Sequence, residues 1–263
     1  MEQQLRALRQ HVLVASSSSS SAAAMAAGAL EGLARVYEEH AESLTRSAAR
    51  ADRVEDELEA SVALLDACAA ARDVLGAMRA RAVAVEAAAR RLDGAAADGA
   101  ARAYARLAKR ACADARRQRR RAGSSSTSMP PSAEAELDGG HALQEARRLT
   151  VAVLELVVVA LSRRVPAVGG GGPRRSAAAS SWSTCVARAF RKSARVACED
   201  DAGDMLTTSS LSSKDSHDGE AALRAQRDLR ALVDTIRQLE DGLELLFRRL
   251  VQCRVCLLNT RSF

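Results

Sequence analysis

The feature that most constrains the fold is a run of apolar residues near the C-terminus. Leu229, Leu232, Ile236, Leu239, Leu243, Leu246, Leu250, Cys253 and Leu257 follow one another at alternating steps of three and four. That period keeps every one of them on a single face of an α-helix through four unbroken heptads. A fully buried large aliphatic side chain contributes about 1.5–3 kcal/mol, so such a face has to be covered. Val233 and Phe247 widen it beyond the seam of a two-stranded zipper. An intramolecular bundle is therefore favoured over an intermolecular coiled coil, with the stripe itself serving as a bundle or partner face.

The rest of the chain fits the same architecture. Helix-forming Ala, Leu, Glu and Arg dominate its 263 residues, and aromatics make up only 2%. A β-sandwich, a disulfide scaffold and a large α/β enzyme are all poor fits to such a composition. Helical periodicity runs over 26–47, where Leu30, Leu33, Tyr37 and Leu44 share a stripe, and over 51–92. In the latter segment Val54, Leu58, Val62, Leu65, Cys68, Leu75, Met78 and Val85 recur at steps that are mostly three or four, and Gly94 is expected to stop it. Further helices are expected over 96–121, 133–164 and 182–199. The run Leu149–Leu161 is rich in β-branched residues, yet it is long for one strand and has no second strand to pair with. It reads as a central helix, apolar nearly all round because other helices cover it.

Ser-, Gly- and Pro-rich stretches punctuate these segments and bury too little surface to offset the entropy of ordering. The expectation is an all-α, elongated multi-helix bundle with a long C-terminal heptad helix. Residues 1–25 form a disordered Ser/Ala-rich N-terminus, which faintly resembles a transit peptide. Residues 26–263 form one helical-bundle domain, interrupted by flexible linkers near 123–132, 165–181 and 201–220. No apolar run is long enough to span a bilayer.

Net charge is +6, and its location matters more than its size. Nine basic residues between Arg102 and Arg121 face the single acid Asp114. The tract Arg116, Arg117, Arg119, Arg120 and Arg121 reads either as a solvated helix end, whose carbonyls favour positive charge, or as an address. The address could be a nuclear-import signal or a contact with an anionic membrane surface. Nucleic acid is disfavoured, since no interleaved aromatics offer a stacking platform. Ser124 follows Arg121 at three residues, where a phosphate would offset this charge.

No catalytic or metal-binding constellation stands out. Cys253 and Cys256 form a C-x-x-C, but no second pair or neighbouring His accompanies them, and Cys253 falls in the heptad core. The scattered cysteines read as packed thiols of a reducing compartment. His11, His40, His141 and His217 lie far apart, and the glycine run 169–172 lacks the Gly-Lys-Ser/Thr of a phosphate loop. Glu244 and Arg248 form an i,i+4 pair that explains the acidic patch Glu240, Asp241 and Glu244 as a solvated face.

Several segments also resemble a known family. The stretch Leu239–Asn259, LEDGLELLFRRLVQCRVCLLN, closely resembles the ending of the plant-specific BYPASS-like family (plant domain of unknown function 241). Gly28–Leu44 is similar to its early helix, Glu55–Met78 to its second, and Trp182 with Lys192–Glu199 to its tryptophan and basic-Val-Ala-Cys-Glu signature. The family's proline- and serine-bearing N-terminal motif is replaced here by serine and alanine runs. The resemblance implies a role in root and shoot development, with no established activity, no cofactor and no catalytic residue to carry over. The resulting expectation is a non-enzymatic intracellular regulator or scaffold, cytoplasmic, with nuclear or peripheral membrane location as alternatives. It would act on an unidentified protein partner or a second copy of itself. The alternative is a peripheral module that binds anionic lipid through its Arg-rich segment.

Overall fold

The computed structural model describes residues 1–17, 21–50, 54–91, 93–124, 139–164 and 212–261. These are helical almost throughout: α1 (Glu2–Ser17), α2 (Ala22–Arg50), α3 (Val54–Arg90), α4 (Gly94–Ser124), α5 (Gly139–Arg164) and α6 (Ser212–Arg261). Among the described residues there is no strand, and the fold is an all-α bundle. The chain divides into two compact units. The first comprises Met1–Gly76, Lys109–Ser162 and Arg237–Phe263, the second Ala77–Ala108 and Arg163–Ile236.

In the first unit α5 lies among the other helices. Leu149–Leu161 is helical, and Val153, Leu154, Leu156, Val157, Val158 and Leu161 are all buried. Tyr37 of α2 meets Thr150 of α5 through their hydroxyls at 3.3 Å, and Ala22 and Ala23 pack on Ala160, so these two helices run antiparallel. Cys112 of α4 donates its thiol to the Val158 carbonyl at 3.8 Å. The α6 helix runs parallel to α2, with Gly242 beside Leu30 and Arg249 bonded to Glu38 at 2.6 Å. It runs antiparallel to α3, where Arg72 pairs with Glu244 at 3.1 Å and Arg261 with Glu55 at 2.9 Å.

In the second unit Val85 and Ala89 of α3, Ala101 of α4, and Ala225 and Leu229 of α6 form one buried cluster, and Met78, Tyr104 and Ile236 are buried as well. Asp93 caps the N-terminus of α4, accepting from the Ala96 amide at 2.9 Å. Gly94 accordingly opens α4, and α3 ends earlier, at Arg90.

The N-terminal expectation needs correction. Residues 2–17 are helical, and α1 lies antiparallel on α2. Leu8 sits so close to Gly32 that a Cβ there would fall 2.5 Å from Leu8 Cδ2. His11 donates to the Met25 carbonyl at 2.9 Å, and Gln4 bonds to both Glu39 and His40. Gly32 on α2 leaves room for the Leu8 side chain of α1, and packing of this kind leaves no large-residue stripe to read. The α3 stripe is offset for the same reason. Val62 is exposed, while Leu64, Cys68, Leu75, Met78 and Val85 are buried together with Ala67, Ala71 and Ala82. Of the expected linkers, 165–181 and most of 123–132 lie outside the described residues, as does the expected helix 182–199. Gly123 and Ser124 finish α4, and 212–220 already belong to α6.

Candidate functional site

The heptad residues Leu229, Leu232, Ile236, Leu239, Leu243, Leu246, Leu250 and Leu257 are all buried, as is Cys253. The face reserved for a bundle or a partner is thus taken up inside the chain, and these side chains are not available to a separate protein. The opposite side of α6 is different. Val251, Val255 and Leu258, spaced i, i+4 and i+7 on one face, are 38%, 49% and 40% exposed. Reading only the heptad missed this second stripe, although the sequence contains it.

Where α2, α3, α5 and α6 meet, a polar group is enclosed. Glu57 accepts from Arg147 at 3.0 Å. Arg254 Nη1 donates to the Leu58 carbonyl at 2.6 Å and to Ser61 Oγ at 2.5 Å. Tyr37, Leu143, Leu250 and Cys253 help line a small cavity at this point, with room for about one water. Burial pushes the Cys253 thiol up to about 11, with Cys256 and Glu57 adding to the shift, and burial alone takes Cys68 to about 12. A thiol held protonated is a poor nucleophile, so both behave as core side chains. Each charged group here is matched by another part of the chain, and the space left admits no substrate-sized molecule.

The arginine tract divides into two sides. Arg119 bonds Glu155 of α5 at 2.9 Å, and Arg116 lies 4.0 Å from the same carboxylate. Glu155 is the one acid within the apolar run of α5, and these two arginines supply its counter-charge. Arg117 pairs with Asp114 on its own helix, exposed on both sides. Arg120 and Arg121 are exposed, and Arg120 has no ion-pair partner among the described residues. Lys109 and Arg110 are exposed as well. The tract is therefore neither purely a solvated helix end nor wholly free: one side clamps α4 to α5, the other faces water. Of the acidic patch on α6, Glu244 holds Arg248 at 3.1 Å as the i,i+4 spacing predicts. Arg72, also bound to Glu244, lies 5.4 Å over the Phe247 ring.

Buried heptads, a clamped basic helix and a largely buried polar cluster define a class: an all-α bundle. A model of the family described as Protein BPS1 matches residues 30–260. The chain belongs to this BYPASS-like family. No curated protein and no solved structure matches it. The match begins inside α2, so α1 lies outside it. Among the described residues no helix is long and apolar enough to cross a membrane.

Proposed function

We propose that the protein is a non-enzymatic regulator or scaffold in plant development, of root and shoot, that works through helix-mediated contacts with another protein. Membership of the BYPASS-like family supports the developmental part. The contact part rests on one observation: α6 has an outer stripe, Val251, Val255 and Leu258, left exposed beside a heptad face that is fully used. Apolar side chains presented at helical spacing suit a partner helix or groove. A cytoplasmic location fits this reading, with a nuclear or membrane-peripheral one as alternatives.

The test is complementation of a plant lacking the protein. The wild-type chain should restore root and shoot growth. A chain carrying Val251→Ser, Val255→Ser and Leu258→Ser should accumulate with unchanged helicity and fail to restore it. Full restoration by that variant would remove α6 as the contact surface.

A second reading has its own observation in favour. The outward side of α4 presents Lys109, Arg110, Arg117 and Arg120 to solvent, which suits an anionic membrane surface.

A further inference from the structure

We propose that a second copy of this chain docks on the outward side of α3 through the outward side of its own α4. The contact uses neither the heptad nor the exposed stripe of α6, so it stands apart from the reading above. Both sides belong to the first compact unit. Between 54 and 76, α3 carries six acids and one base. The base, Arg72, is held by Glu244, while Glu57 and Glu55 are held by Arg147 and Arg261. That leaves Asp56, Glu59, Asp66 and Asp73, all exposed and without an ion-pair partner among the described residues.

The outward side of α4 has the opposite need. Lys109, Arg110 and Arg120 are exposed and unpaired among the described residues, and Arg117 holds only Asp114 on its own helix. The spacing of the two sides agrees. Glu59, Asp66 and Asp73 follow at steps of seven, and Arg110 and Arg117 are seven apart. Seven residues rise about 10.5 Å and return to within about 20° around the axis, so both rows keep one pitch and one drift. Small side chains fill the ground between the charges. Ala63, Ala69 and Ala70 are exposed on α3, as is Ala113 between Arg110 and Arg117. With nothing bulky between them, two helices approach to about 8 Å, which lets arginines of one reach carboxylates of the other.

The two sides differ, so the contact is heterologous. Each copy offers one acidic and one basic side, and association runs head to tail unless a ring closes it. The net charge of +6 opposes this little, because charges further apart than about 8 Å are screened at physiological salt. An anionic lipid surface is the competing occupant of α4. The exposed positions from Lys109 to Arg120 include no large apolar side chain to enter a bilayer, and lipid would leave the acidic side of α3 unmatched. A second copy answers both sides at once.

One helix pair makes a weak, transient contact, so the full chain is followed by analytical ultracentrifugation over a wide range of concentration. Wild type should associate reversibly in about 0.1 M NaCl, and its dissociation constant should rise about tenfold or more in about 1 M. A chain with Asp66→Lys and Asp73→Lys should stay monomeric, as should one with Arg110→Glu and Arg117→Glu, because like charges then face each other. Mixed in equal amounts, these two variants should associate again, since the unaltered side of each meets the unaltered side of the other. Recovery on mixing is a result that misfolding cannot give, and helicity should match wild type throughout. The neutral pair Asp66→Asn and Asp73→Asn should weaken association in the same direction. A wild type that remains monomeric overturns the proposal. So does association indifferent to both reversals, or a pair of folded variants that fails to recombine. A monomer that instead sediments with phosphatidylserine vesicles gives the basic side of α4 to lipid and overturns it as well.

Discussion

At the scale of single residues, the charges inside this bundle are structural. Removing one partner of a buried pair leaves the other desolvated and unmatched, at a cost of about 3–5 kcal/mol when burial is complete. Glu57 is buried and Arg147 is mostly so. Arg147→Ala should therefore lower stability by on the order of 3 kcal/mol, seen as an earlier denaturant midpoint. Arg117→Ala should shift that midpoint by about 0.5 kcal/mol or less, because the Arg117–Asp114 pair is exposed. Equal effects from the two substitutions would refute the division of charges into buried and solvated. Glycine acts at the same scale. At Gly242 a Cβ would lie 3.3 Å from Leu30 Cβ, so Gly242→Leu should force α6 away from α2 and abolish cooperative unfolding.

Among the elements, α6 was the most legible and α1 the least. The heptad of α6 is written in large aliphatics at fixed steps, and all of those side chains are buried. Leu243→Ala should cost about 2–5 kcal/mol, measurable by chemical denaturation, because Leu243 is completely buried and a cavity would remain. The α5 run was legible despite its β-branched residues, since its length excluded a strand. By contrast, α1 buries only Leu5 and Ala15 and docks where Gly28 and Gly32 leave room. That signal comes from small residues on the receiving helix and is invisible in the docked one. Deleting residues 1–20 should leave the remaining helices folded, with circular dichroism losing only the contribution of α1. The α3 stripe failed in part for a related reason: alanines complete its buried face, and a reading of large residues alone placed Val62 inside. The Arg tract was found in sequence, but its division was not, because Glu155 lies on another helix, 36 residues from Arg119.

For the whole molecule, the buried acidic groups set the response to alkali. Cys68 and Cys253 are raised from 9.0 to about 12 and about 11 by burial. Tyr37 and Tyr104 are likewise raised above 10.0, again by burial first. Below pH 9 these groups are protonated in both folded and unfolded chains and contribute no pH dependence. Above it the unfolded chain releases their protons while the folded chain retains them, so stability falls as pH rises from about 9 to 11. Thermal unfolding followed at pH 7, 9 and 10.5 should show a melting temperature that drops over the last interval, and a flat profile would contradict their burial. The pairing of Glu57 with Arg147 has a consequence of another kind. Faces built from alanine and leucine look nearly alike one turn up or one turn down, so packing alone discriminates weakly between a helix seated correctly and one that has slipped. A slip of one turn would carry Glu57 away from Arg147 and strand a buried carboxylate, whereas Glu155, held by two arginines a turn apart, would keep one of them. A buried acid matched at only one alignment gives an otherwise repetitive interior a preferred way to close.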